Sequence, residues 1–244
     1  MTGLGIDAPG PREGVRRSPL GMIVLLALAT AAFMALGTWQ VQRLAWKEAL
    51  IARVDAATHA PPVGPEALPP GNLAAWEYHT VALTGVYQPQ GTTLVAAVTD
   101  YGPGYWLLEP LRTAAGTFWI NRGFMPQGTT RAAAIAITPQ GPRAVAGLLR
   151  LDAPHGLWLR ANRPAEDRWF TTDLAAIGRV RGVAGETRWF LDARAENPAP
   201  APGGPIPGLT VIAFPNNHLQ YALTWYVLAA LSVAMAIVLW RRAT

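Results

Sequence analysis

The chain has 244 residues, 51% of them hydrophobic and 14% charged, a balance that leans towards a membrane protein. Its 20 Lys+Arg against 15 Asp+Glu make a mild, scattered basic excess with no run beyond two adjacent cations, which argues against nucleic acid as a partner. With no cysteine, disulfides, thiolate zinc sites and thiol catalysis are excluded.

Residues 1–19 form a tail carrying Arg12, Arg16 and Arg17. Residues 20–42 follow without a charged side chain. A helix of about 20 residues rises ~30 Å, the thickness of the hydrocarbon core, so this segment is read as a transmembrane helix. A secretory signal ending at the small residues Ala35-Leu36-Gly37 is the alternative reading, and a mature chain starting near Thr38 would decide for it. Residues 43–60 continue as a membrane-proximal helix, because Trp39, Arg43, Trp46, Leu50 and Val54 recur at three- and four-residue steps. Pro61 and Pro62 end that pattern.

Residues 61–217 read as a β-rich domain. YHTVALTGVY (78–87), TTLVAAV (92–98), RAVAGLLRL (143–151) and TRWFLDA (187–193) mix β-branched and aromatic residues between turn signals. YWLLEPLR and TFWINRGF flank TAAG as a hairpin, RWF (168–170) is a short strand, and LTVIAF (209–214) is a last one. TTDLAAIGR (171–179) is a short helix, capped by Thr171, Thr172 or Asp173 and closed by Gly178. Residues 218–240 are a second transmembrane helix, and 241–244, with Arg241 and Arg242, are the C-terminal tail. Positive flanks stay on the cytoplasmic side, which puts both termini inside and the domain outside. The fold class expected is membrane α + β: two transmembrane helices, N- and C-terminal, flanking a β-rich extracytoplasmic domain with a short helix.

The chemistry is sparse. No two of His59, His79, His155 and His218 fall at i, i+3 or i, i+4, and no phosphate loop, dinucleotide fingerprint or nucleophile elbow is present. The scattered carboxylates are read as a solvated surface. His59 is read as a loop residue, His79 as part of a strand and His155 as part of a turn. In WINRGFMP (119–126), the chain leaves a strand at Arg122-Gly123, and Asn121 and Arg122 are expected to fix a turn there through backbone hydrogen bonds, with part of a partner surface as the alternative. His218 stands apart, because it opens an apolar helix in a stripe with Ala222, Trp225 and Ala229, with Tyr221 beside it. Ionisable groups at membrane depth are costly and tend to face partners or cargo. A neutral imidazole ligates metals, and axial ligation of haem fits; an idle interfacial histidine is the plain alternative. Arg43 closes the first span as His218 opens the second. Its guanidinium either meets a carboxylate such as a haem propionate or anchors to lipid headgroups.

LGTWQVQRLAWKEALI (36–51), GYWLLEPL (104–111), FWINRGFMP (118–126) and NNHLQYALTWY (216–226), in this order, resemble the surfeit locus protein 1 family of cytochrome c oxidase assembly factors. The stretch 129–192 matches loosely, and Phe124 and Met125 stand where the family often has tryptophan and valine. The resemblance implies an assembly factor that binds haem a, transiently, and assists its insertion into the oxidase catalytic subunit, rather than an enzyme. It implies His218 as the metal ligand and matches Trp225 to a family tryptophan; the positional reading adds Tyr221 and Arg43 as further cofactor-binding residues. The implied partners are the oxidase catalytic subunit, the haem a synthase machinery, the lipid bilayer and, as an open option, a second copy of the chain. The implied location is a bacterial inner membrane, with the domain in the periplasm. A scaffold for oxidase assembly that binds no haem is the alternative.

Overall fold

The structure, a computed structural model, describes residues 20–154, 160–210 and 214–243. The tail 1–19, His155 and its turn, and the centre of the expected strand at 209–214 lie outside the described residues. The chain divides into two units, one built from residues 1–49 and 214–244 and one from residues 50–213.

The first unit holds the two long apolar helices, except that residues 50–59, the end of the first helix, fall in the second unit. α1 (Leu20–His59) runs 40 residues without interruption. It contains no proline and is dense in alanine, leucine and methionine, and it stops before Pro61, where the pyrrolidine ring disfavours a preceding helical residue. α4 (His218–Ala243) runs 26 residues and ends on Arg241 and Arg242, where cations complement the partial negative charge of a helix C-terminus. Both helices are long and apolar enough to cross a membrane. They flank, in sequence, a domain organised around one mixed sheet.

The domain comprises β1 (Thr80–Tyr87), β2 (Thr93–Thr99), β3 (Gly102–Thr113), β4 (Gly116–Pro126), β5 (Arg143–Leu151) and β6 (Trp189–Asn197). The strand order is β1-β5-β6-β4-β3-β2, and residues 85–87 of β1 also pair with 111–113 of β3. That second pairing closes β1, β5, β6, β4 and β3 into a barrel and leaves β2 with β3 as its one strand partner among the described residues. All neighbours are antiparallel except β4 and β6.

Alternation along the strands sorts side chains to two faces. Val81, Leu83, Tyr87, Leu111, Phe118, Ile120, Val145, Leu149, Trp189 and Leu191 converge in one cluster, the barrel interior. The opposite parity, Leu108, Trp119 and Phe190, packs outward under α3 (Leu174–Arg181) and Trp169. Each large side chain so buried contributes about 1.5–3 kcal/mol of transfer free energy. A third, small cluster joins Leu107 and Met125 to Ala134 of α2 (Arg131–Ala136), a helix absent from the sequence reading and capped by Thr130.

Three local readings change. Asp173 caps α3 by accepting from the Ala176 N–H at 2.9 Å, but Gly178 lies inside the helix; Gly182, at φ 65°, closes it in the left-handed conformation that glycine adopts without a Cβ clash. Residues 168–170 make isolated bridges, Arg163 with Arg168 and Val95 with Trp169, in place of a strand. Gly123 does not end the strand; β4 continues through it to Pro126.

Candidate functional site

Within the helical unit the seam between α1 and α4 is built from small residues and rings. Ala222, Ala229 and Ser232 are buried on α4. Gly37 is buried on α1, where a Cβ would stand 2.6 Å from a ring carbon of Tyr226, so only glycine allows this approach. Phe33 stacks on Trp225 with centroids 5.7 Å apart and planes 23° apart, and the Thr38 and Tyr226 hydroxyls lie 3.4 Å from each other.

At one end of this seam His218, half-buried, opens α4. Its Nδ1 lies 2.7 Å from Oε1 of Gln40 on α1. An amide oxygen only accepts, so Nδ1 carries the proton, and in the neutral ring the lone pair sits on Nε2. This arrangement holds the ring orientation and tautomer from one edge and leaves the other nitrogen as the ligating atom. Ligating histidines commonly carry such an outer partner.

The other residues singled out in the sequence divide between seam and surface. Trp225 belongs to the seam, its ring taken up by Phe33. Tyr221, one turn after His218, is exposed. Arg43 is exposed and lies over the Trp46 ring at 3.9 Å, while Lys47 Nζ stands 5.2 Å from the Phe214 ring. Gln40, Arg43 and Lys47 follow at i, i+3 and i+7, one stripe of α1 carrying two cations next to the histidine's partner. Gln40 and Lys47 were missed in the sequence because each reads as ordinary punctuation at the end of an apolar run. The available signal was a glutamine within a segment otherwise poor in hydrogen-bonding side chains.

The remaining described histidines have local roles. His59 is the last residue of α1 rather than a loop residue, and its Nδ1 lies 2.8 Å from the Asp55 carbonyl oxygen. His79 precedes β1 rather than lying within it, and its ring is tilted against Trp76 at 4.9 Å. No group of three or more His, Cys, Asp or Glu that could hold a metal stands among the described residues.

The domain has its own polar centre, and it corrects two expectations. Arg122 is not a turn residue: it is buried in β4, donating to Glu109 at 2.9 Å and to Glu196 at 3.3 Å, with its guanidinium 4.6 Å from the Tyr87 ring. Nor are all carboxylates solvated. Glu109 is wholly buried and accepts from Thr92 and Thr138, each at 2.6 Å, while Arg143 adds a second cation to Glu196 at 3.7 Å. Desolvation alone would lower the Arg122 pKa, but Glu109, Tyr87 and Glu196 outweigh it and hold the guanidinium charged above its ordinary value. Burial pushes the Tyr87 phenol up, further than the Arg122 charge draws it down. Asn121 donates to Asp192 at 2.9 Å and accepts from the Gly123 N–H at 3.1 Å. Burial raises the Asp192 carboxyl, against a hydrogen bond from Thr210. Arg122 and Glu109 are engaged on every side by internal partners, so their chemistry is structural, although the Tyr87 hydroxyl and Arg143 Nε are buried without a hydrogen bond.

Comparison with known proteins agrees with this architecture. The family model described as SURF1 family matches residues 27–230. The chain is similar to Surfeit locus protein 1 of Homo sapiens, 32% identical over 230 residues that cover 85% of this chain and 73% of the human one. It is also similar to Surfeit locus protein 1 of Mus musculus, 31% identical with 86% and 72% covered, and to a SURF1-like protein of Monosiga brevicollis, 31% identical with 89% and 87% covered.

Proposed function

Because the chain belongs to the SURF1 family, we propose that it is an assembly factor of cytochrome c oxidase, receiving haem a at His218 and passing it to the catalytic subunit. The observation that carries this reading is the 2.7 Å contact of His218 Nδ1 with Gln40 Oε1, which directs the Nε2 lone pair away from the partner helix's amide. A bound haem supplies an iron centre that takes one nitrogen lone pair and two propionates that seek cations. The residues fit that demand. Gln40 holds the ring as the Nδ1–H tautomer, His218 presents a single modest ligand, and Arg43 with Lys47 places two cations on the neighbouring stripe. A single imidazole suits a carrier, since two tight ligands would oppose release.

Trp225 is committed to Phe33, so in this reading it fixes the helix pair that bears the histidine, and exposed Tyr221 is the aromatic free to pack on the macrocycle. The helices lie in an inner membrane with both termini cytoplasmic, and the barrel is periplasmic. Arg241 and Arg242 support this orientation. Trp225's engagement within the seam also favours a second reading, a scaffold that holds assembly partners and binds no haem.

Purification of the full chain from cells that make haem a separates the two. The carrier gives a pigmented protein whose Soret band is lost or displaced in His218→Ala. A colourless protein that still co-purifies with oxidase subunits establishes the scaffold.

A further inference from the structure

β2 is the one strand of the described sheet with a single strand partner, and a loop covers its open side only as far as Ala96. Natural edge strands are blunted by charge, proline or a bulge; β2, TLVAAVT, has no charged residue, no proline and a continuous register with β3. Pairing on the open side begins and then stops. The Ala96 N–H donates to the Trp169 carbonyl at 2.8 Å, which identifies that side as the one turned away from β3. Alternation directs the N–H and C=O of Val98 the same way. Opposite Val98 on β3 stands Pro103, which has no N–H to give. No backbone partner meets the open side of Val98 among the described residues, and the residue is 82% exposed.

A cavity lies against each face of this strand. One, of about 800 Å³, takes the Leu94, Ala96 and Tyr105 face and is lined by three arginines, Arg131, Arg160 and Arg168, against one carboxylate, Asp167. Asp167 is already paired with Arg181 and accepts from Trp169 Nε1. Of the arginines, Arg131 donates to the Thr92 and Gln90 carbonyls, Arg168 reaches Glu166 at 3.5 Å, both of that pair exposed, and Arg160 has the Phe170 ring beside it at 5.8 Å. The other, of about 770 Å³, takes the Val95 and Thr99 face; Trp106, Leu108 and Phe190 form an apolar wall, beside Asp100 and the Asp192 carboxylate, which Asn121 and Arg150 already engage. Both are bounded by Ala96, Val98, Phe170 and Thr171, so they meet in a slot between the edge of β2 and the chain after Trp169.

We propose that this slot receives an extended segment of a partner polypeptide, added as a strand to β2, with acidic side chains alternating with apolar ones. The backbone groups of Val98 supply ladder hydrogen bonds. The period of two sends acidic residues towards Arg131, Arg160 and Arg168 and apolar residues towards Trp106 and Phe190.

The test uses the full-length chain in detergent micelles and fluorescently labelled octapeptides Val-Glu-Val-Glu-Val-Glu-Val-Glu, Val-Lys-Val-Lys-Val-Lys-Val-Lys and Val-Val-Glu-Glu-Val-Val-Glu-Glu. The first is expected to bind at least tenfold more tightly than either of the others and to slow amide exchange at Val98. Arg160→Glu with Arg168→Glu, two exposed positions, is expected to reverse the preference towards the lysine peptide, which also shows that the variant is folded. Absence of binding overturns the proposal, as does equal binding of all three peptides or binding without slowed exchange at Val98. An adventitious association of charged peptides with the micelle gives the last of these patterns.

Discussion

Arg122 is buried and His218 half-buried, and their surroundings differ in kind. Arg122 sits in the barrel with two carboxylates and an aromatic face around it, and Thr92 and Thr138 complete the coordination of its partner Glu109. His218 sits on a helix whose other seam contacts are rings, hydroxyls and small residues, and among the described residues it has one side-chain partner, Gln40, on one ring nitrogen. The barrel's charged groups are consumed in holding the fold. A polar residue engaged at one end only is the better candidate for binding, so the chemically poorer region carries the proposed site.

The largest effect expected from breaking this contrast is in the barrel. Arg122→Met leaves Glu109 and Glu196 buried without their central cation, and removing one member of a buried pair typically costs about 3–5 kcal/mol. Denaturant unfolding of the full chain in micelles measures this loss. A change below about 1 kcal/mol would mean that the network is not the structural centre described. A second, smaller effect tests the seam. Gly37→Val forces a branched side chain into the Tyr226 ring, and overpacking of this type costs about 1–3 kcal/mol. The chain has no native cysteine, so the yield of a disulfide between Phe33→Cys and Trp225→Cys reports the pairing of the helices, and Gly37→Val is expected to lower it.

The smallest effect is a pH slope. Burial raises the Asp152 carboxyl from 3.8 to about 6, against hydrogen bonds including that from the Leu174 N–H at the start of α3. The folded chain therefore holds this proton more tightly than the unfolded chain. Stability from this group is full below about pH 4 and falls as pH rises through about 6. Asp152→Asn is expected to flatten thermal stability across that window. A slope unchanged by the substitution would assign it elsewhere, with Asp192, raised in the same direction, the next group to test.

The sequence displayed local features well and long-range ones poorly. The apolar helices are legible because hydrocarbon thickness demands a long uncharged run, and β5 and the β3–β4 hairpin because alternation and turn residues are local signals. Closure of the barrel through β1 and β3 depends on residues about 26 positions apart and has no local mark. Arg122 was misread for the same reason, since its partners Glu109 and Glu196 stand 13 and 74 positions away. Short α2 carries a cap at Thr130 but too few residues for a periodic pattern. At the site, the helical stripe of His218, Ala222, Trp225 and Ala229 was readable, but not that Phe33 would cover Trp225 or that Gln40 would meet the imidazole, 178 positions away.

Titration of haem a into the micellar full chain tests the central claim most directly, with the Soret band of the wild type compared with those of His218→Ala and Gln40→Leu. The account predicts a lost ligand signature for His218→Ala, and for Gln40→Leu a retained band with roughly 10–100-fold weaker binding, the usual cost of removing a ligand's outer hydrogen-bond partner. Equal spectra and equal affinity for the wild type and His218→Ala would contradict it.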